Sequence, residues 1–170
     1  MDLVVRPARL RDRPAIAAIG RRIWQGWDYV PLFFRRWVRD GSFWVAELEG
    51  RVVGCGTLVR DPHSWSPHVG EIRMVVSPEV RGKGVGKALS QETFALALGA
   101  GLEKLSVQMT VDQQAAIALF ESLGFKAEAL LRDHVRDIDG KTHDIVVLGH
   151  NVAQVRAQME AYGLPGAVQH

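Results

Sequence analysis

The chain has 170 residues, of which 47% are hydrophobic and 24% charged, a balance expected of one globular domain with a full core. No apolar run approaches the ~18–20 residues of a membrane span, and residues 1–6 lack the basic-then-apolar order of a secretory leader, so a cytoplasmic location is expected. A single cysteine, Cys55, excludes an internal disulfide and fits a reducing compartment. The net charge is only +2, yet residues 1–40 hold nine Arg against four Asp. A solvated basic face is the simpler reading of that excess, and nucleic-acid binding is not expected.

Leu3 to Arg6 reads as a short strand ending near Pro7. Asp12 is placed to cap a helix with Pro14 in its first turn. In that helix Ile16, Ile19 and Ile23 share one face, with Trp27 a turn further on. A second helix is expected over 31–38, where Phe33, Phe34 and Trp37 are helically spaced, as core aromatics more often than pocket ones. Residues 42–47 and 51–60 read as a hairpin turned at Glu49-Gly50, and 61–67 as a loop. The strand 71–76 leads into a glycine-rich stretch, then a helix over 84–98 with Val85, Leu89 and Leu96 inward. A strand follows at 105–110. The next helix has Ala116, Leu119, Phe120 and Leu123 on its apolar side and ends at Gly124. Residues 125–135 and 142–148 read as strands joined near Asp139-Gly140, a strong hairpin signal. A last amphipathic helix is expected over 152–161. The order β-α-α-β-β-β-α-β-α-β-β describes one mixed α/β domain, residues 1–150. Residues 151–170 form a C-terminal helical extension and tail that could cover a sheet edge or support a homodimer.

The most informative stretch is residues 75–89. The apolar, β-branched run Val75-Val76 ends at Ser77-Pro78, and Gly82, Gly84 and Gly86 then alternate with Lys83, Val85 and Lys87. Strand, glycine turn and helix start together aim backbone N–H groups and a positive helix end at one point, which suits a phosphate. A Walker-type loop fails here, because three residues instead of four separate Gly82 from Gly86 and Ala88 replaces the metal-binding hydroxyl. The dinucleotide fingerprint fails as well, since Lys87 stands where its third glycine belongs.

Arg81-x-x-Gly84-x-Gly86 resembles the Q/R-x-x-G-x-G/A signature of the GNAT superfamily of acyl-CoA N-acyltransferases. Val76-Ser77-Pro78 is similar to the V-x-P that often precedes it. The run from Ala116 to Phe125, AIALFESLGF, resembles the family's second motif, about 30 residues further on. The resemblance covers roughly residues 3–148. It implies a GNAT-like mixed, mostly antiparallel sheet flanked by helices, with acetyl-CoA as cosubstrate, no metal, and a primary amine as acceptor in a ternary complex. It also implies that Met74, Val75 and Val76 splay away from the strand near 107–110 and pair with the pantetheine arm. Arg81, Gly82, Lys83, Gly84, Val85, Gly86 and Lys87 would hold the phosphates, with Gln113 and Phe120 also against the cofactor.

The catalytic half departs from the family pattern. The position that often holds a proton-donating Tyr is Phe120, a common Asn is Gln113, and a sometimes catalytic Glu is Gln108. Glu71, on the strand carrying the cofactor platform, is the best-placed carboxylate for a general base, although a one-residue slip in register would turn it to the other face. With a weak base, amine basicity matters. Neutralising a lysine-like amine at pH 7 costs about 4.6 kcal/mol and an α-amine about 1 kcal/mol, so a low-pKa amine is the expected acceptor. A non-catalytic CoA-binding sensor or assembly module is the alternative.

Asp133, His134, Asp137, His143 and Asp144 crowd the last hairpin as solvated charges, substrate contacts or metal ligands. An EF-hand reading fails at Val135. Cys55, in an apolar strand, is expected to be a small core residue.

Overall fold

A computed structural model of the chain describes residues 2–23, 34–154 and 157. Its strands are β1 (Leu3–Pro7), β2 (Phe43–Leu48), β3 (Arg51–Val59), β4 (Val69–Val76), β5 (Lys104–Thr110), β6 (Lys126–Arg136) and β7 (Thr142–Asn151). The described helices are α1 (Arg13–Ile23), α2 (Phe34–Arg39), α3 (Val85–Gly99) and α4 (Gln114–Ser122). The strands form one sheet in the order β1-β2-β3-β4-β5-β7-β6. Every neighbouring pair is antiparallel except β4 and β5, which run parallel because α3 carries the chain back between them. This is the mixed, mostly antiparallel sheet with flanking helices that the sequence led us to expect.

Strand alternation sends side chains to both faces of the sheet, where the described residues form three apolar clusters. On one face Ile72, Leu105, Val107, Met109 and Leu148 pack with Ala97, Phe120 and Phe125 from the α3 and α4 side. On the other, Phe43, Val45, Cys55 and Val75 meet Ile16, Ala17 and Ile19 of α1 and Phe34 of α2. The expected α1 face is thus present at Ile16 and Ile19, and the side chains of Ile23, Trp24, Trp27 and Phe33 lie outside the described residues. Phe34 meets the Phe43 ring edge-on at 5.2 Å, while Trp37 stacks on it at 6.2 Å. Burying Ser90 and Thr93 in α3 is cheap because each hydroxyl donates to the carbonyl four residues back, Gly86 and Leu89, at 2.7 and 2.9 Å.

Asp12 behaves differently from the sequence expectation. It lies in a 3-10 turn, Leu10–Asp12, and its carboxylate turns away from α1 to accept the Arg9 N–H at 2.7 Å. It also takes a two-pronged contact from Arg6, both bonds 2.8 Å, and Arg6 reaches Glu47 Oε1 as well at 2.8 Å through Nε. A guanidinium with two carboxylates to satisfy outcompetes a helix N-terminus for Asp12, and the network ties β1 to β2 and to the start of α1.

The expected hairpin forms β6 and β7, with a turn closed by Gly140 at φ 87°. β6 sits at the sheet edge and is largely exposed. Its register breaks between Leu131 and Val135, where Asp133 takes a left-handed φ of 50° and its N–H donates to Asp144 Oδ1 at 2.8 Å. Of the expected C-terminal helix, Val152 to Gln154 are helical and Val152 is buried in the core; most of the remainder lies outside the described residues.

Candidate active site

β4 and β5 pair from Val69↔Lys104 to Ile72↔Val107 and no further, although β4 continues to Val76 and β5 to Thr110. β4 keeps its other neighbour through Val76, paired to Gly54 of β3. A wedge therefore opens in the sheet, and alternate N–H and C=O groups of β4 beyond Ile72 face it without a strand partner. Such an edge can accept an extended, amide-bearing arm as an added strand.

The wide end of the wedge leads to the glycine loop. Gly82 and Gly84 have φ of 80° and 81°, a region that costs other residues roughly 1–2 kcal/mol each. Gly84 is the N-cap of α3 and has no side chain to satisfy the first helical N–H groups, which stay free for a ligand. Gly86 is a glycine for a different reason from the one its spacing suggests. A Cβ there would lie 2.7 Å from Leu119 Cδ2 of α4, so the small residue serves helix packing. Leu119 is the flexible end of a side chain, which explains how alanine can be an alternative in the G/A position of the signature.

These elements line a cleft of about 920 Å³, within the range of small-molecule sites. Met74, Val75, Val76, Arg81, Gly82, Gly84, Val85, Gly86, Lys87, Gln113 and Phe120 all contribute to its wall, as does Glu71. Lys83 does not line it. The side chains of Val75, Val85 and Phe120 are buried in the cores, so Val75 and Val85 can meet a ligand only through their backbones. Phe120 packs edge-on against Phe125 at 5.1 Å, and its ring borders the cleft from within the core. Gln113 spends its carbonyl oxygen on the Thr110 N–H at 3.3 Å, closing the turn from β5 into α4, which leaves its amide nitrogen as the donor for a ligand.

The register places Glu71 opposite Val59 and Ser106, on the same face as Arg73 and Val75 and inside the cleft. Arg73 Nε donates to Glu71 Oε1 at 3.3 Å. Gln108 also lines the cleft. Two further groups escaped the sequence reading. Arg22, at the end of α1, binds Glu79 Oε1 at 2.5 Å, and Glu79 also accepts from the buried Ser77 hydroxyl. The Ser77 bond first, with Arg22 adding to it, holds the Glu79 carboxyl at about 2. Cys55 lines the same cleft, but burial pushes its thiol up to about 12.

None of the five hairpin residues Asp133, His134, Asp137, His143 and Asp144 lines the cleft. His143 Nε2 and Asp137 Oδ2 are 2.8 Å apart, and the Asp137 carboxyl is held below its usual range chiefly by that contact. Thr142 Oγ1 donates to Asp133 Oδ1 at 2.7 Å. Among the described residues no three His, Cys, Asp or Glu side chains gather as metal ligands, and no helix is long and apolar enough to cross a membrane.

A sheet wedged open between two parallel strands, with a glycine loop and a helix N-terminus at its mouth, defines the acyl-CoA N-acyltransferase class of fold. The chain belongs to the acetyltransferase (GNAT) family, whose sequence model matches residues 14–125. Among curated relatives, it is 40% identical over 88 residues to a mouse protein named probable N-acetyltransferase family 8 member 5, covering 51% of this chain and 39% of that one. It is 36% identical over 105 residues to the Xenopus tropicalis N-acetylaspartate synthetase, covering 61% and 37%. The match thus spans well under half the length of these two relatives. Among solved structures, an N-acetyltransferase from Staphylococcus aureus superposes with a TM-score of 0.78 at 20% identity, covering 89% of this chain and 99% of that one. The ribosomal-protein-alanine N-acetyltransferase of Brucella melitensis gives 0.75 at 26% identity, covering 87% and 99%.

Proposed function

We propose that this chain transfers an acetyl group from acetyl-CoA to the α-amine of a small acceptor by direct attack in a ternary complex. The observation that carries the reading is the end of β4–β5 pairing at Ile72↔Val107, directly upstream of the Gly82–Gly84 loop. The residues present suit the cosubstrate. The β4 backbone beyond Ile72 would pair with the pantetheine arm. The N–H groups of Gly84, Val85 and Gly86, with Arg81 and Lys87 nearby, would hold the phosphates. Charge-assisted hydrogen bonds of roughly 1.5–3 kcal/mol each make several such contacts sufficient. The bound group supplies an activated thioester with a good leaving thiolate.

The chain's own residues then orient the acceptor and manage a proton. The amine nitrogen forms a bond to the thioester carbonyl carbon, the C–S bond breaks with its electron pair going to sulfur, and the amine loses one proton. Glu71, which lines the cleft, would receive that proton, directly or through water. Phe120 has no proton to give, so departure of the thiolate relies on positioning, which contributes roughly 7–11 kcal/mol in well-oriented reactions. Cys55 is not a covalent way-station, because a thiol at about 12 stays protonated at neutral pH. An α-amine acceptor agrees with this weak acid–base equipment. It also agrees with the names of two similar proteins, an N-acetylaspartate synthetase and a ribosomal-protein-alanine N-acetyltransferase. The lone cysteine is compatible with a reducing, cytoplasmic setting.

The second reading, a CoA-binding module without transfer, draws on Phe120 and Gln108 at positions where an acid and a base would serve. Release of free CoA thiol from acetyl-CoA, measured across a panel of amines, separates the two. Acceptor-dependent release supports transfer; tight acetyl-CoA binding with no release from any amine supports the module.

A further inference from the structure

We infer that the acceptor is an amine bearing its own carboxylate close by, as an α-amino acid does, and that Arg73 is the residue that selects it. The inference rests on the transfer reading above and names the acceptor class for the same cleft.

Glu71 and Arg73 alternate on β4, so both side chains leave the sheet on one face, and both line the cleft. They flank Ile72, the last β4 residue paired to β5, and so stand at the closed end of the wedge, away from the glycine loop. Their mutual contact is a single 3.3 Å bond between side chains that are 51% and 36% exposed. An ion pair of that kind contributes ~1 kcal/mol or less, so the fold does not require it. Neither residue has a charged cross-strand neighbour: Arg73 faces Thr57, whose hydroxyl is committed to the Ser42 carbonyl at 2.7 Å, and Glu71 faces Val59 and Ser106.

Among the described residues Arg73 makes its hydrogen bond through Nε, which leaves both Nη groups to bind a carboxylate. The other guanidinium on this side of the cleft, Arg22, is committed to Glu79. A cation and an anion held side by side, half exposed and loosely paired, match a ligand carrying both charges on groups attached to one carbon. Its carboxylate takes Arg73 and its amine takes Glu71. The exchange also helps the chemistry. A carboxylate beside an ammonium raises its pKa; pairing the ligand's carboxylate with Arg73 offsets that effect and leaves Glu71 as the carboxylate that faces the amine.

The test uses the purified full chain, acetyl-CoA, and the twenty α-amino acids each paired with its α-carboxamide. The amide's amine is the less basic of each pair, so a preference for the acid runs against amine basicity. The expected result is a kcat/KM for at least one free acid about tenfold or more above its amide, the worth of one charge-assisted pair. Arg73→Gln should collapse that ratio to within about threefold, mainly through the KM of the acid, and Arg73→Lys should restore part of it. Equal turnover of acid and amide, turnover confined to amines without a carboxylate, or a ratio that survives Arg73→Gln overturns this inference and leaves transfer standing. Thiol release from no amine at all, with acetyl-CoA still bound, overturns the transfer reading and this inference with it.

Discussion

Arg22 Nη1 lies 2.5 Å from Glu79 Oε1, joining the end of α1 to the turn that leads into the glycine loop. The two residues are 57 positions apart in sequence, and Arg22 lines the cleft. Their pair links the end of α1 to the turn that precedes the glycine loop. Glu79→Gln should therefore weaken acetyl-CoA binding by about two- to fivefold by calorimetry, the scale of an exposed pair, with little change in Tm. The Glu79 carboxyl sits at about 2, below its ordinary 4.5. Its contribution is complete above pH 4.5 and fades as the pH falls toward 2, so this pair should add no pH dependence to binding between pH 5 and 8.

The glycine loop offers a sharper contrast. Gly84→Ala puts a Cβ on a residue at φ 81° and should cost about 1–2 kcal/mol in the loop, read as a roughly five- to thirtyfold loss of acetyl-CoA affinity. Gly86→Ala meets only the tip of Leu119 and should leave affinity within about threefold. Equal losses from the two would show that backbone conformation is not what distinguishes them.

The network of Arg6 with Asp12 and Glu47 is structural and far more buried. Arg6 and Asp12 side chains are 14% and 5% exposed, so removing one partner leaves the other charge without compensation. Asp12→Ala should destabilise the fold by about 3 kcal/mol in urea unfolding. Asp12 is held below its usual 3.8, chiefly by Arg6, so its contribution is complete above pH 3.8 and is lost as the pH falls below it. The variant should accordingly unfold with a weaker acid dependence than the parent.

His150 supplies a titration nearer neutrality. Its ring is 5.2 Å from Phe94 and 5.1 Å from Phe125, and its buried Nδ1 has no partner among the described residues. Burial lowers its pKa below 6.5, with a hydrogen bond to the Leu123 backbone opposing the shift. The native state therefore favours neutral imidazole. Stability is complete above pH 6.5 and falls as the pH drops below it, because the unfolded chain takes up the proton first. His150→Phe should flatten the stability profile between pH 7.5 and 5, checked by urea midpoints across that range.

Much of this protein was legible in the sequence because its signals are local. Gly82 and Gly84 announce a turn only glycine fits well, Gly124 ends α4 at φ 96°, and alternation marks the strands to within three residues. Arg81-x-x-Gly84-x-Gly86 and the run ending at Gly124-Phe125 together pointed to the family. Asp12 was misread because its partner Arg6 competes from β1, with Glu47 of β2 completing the network, and helix-start rules take no account of such a competitor.

The sequence by itself thus determined most of the secondary elements, the glycine loop and, through its two motifs, the resemblance to the family, since each depends on residues close along the chain. Only the tertiary structure decided where β4 parts from β5, that Glu71 and Arg73 share a face inside the cleft, that Arg22 reaches Glu79, and that Gly86 answers to Leu119. Those facts depend on strand register and helix placement across tens of residues, where a shift of one position reverses every side chain.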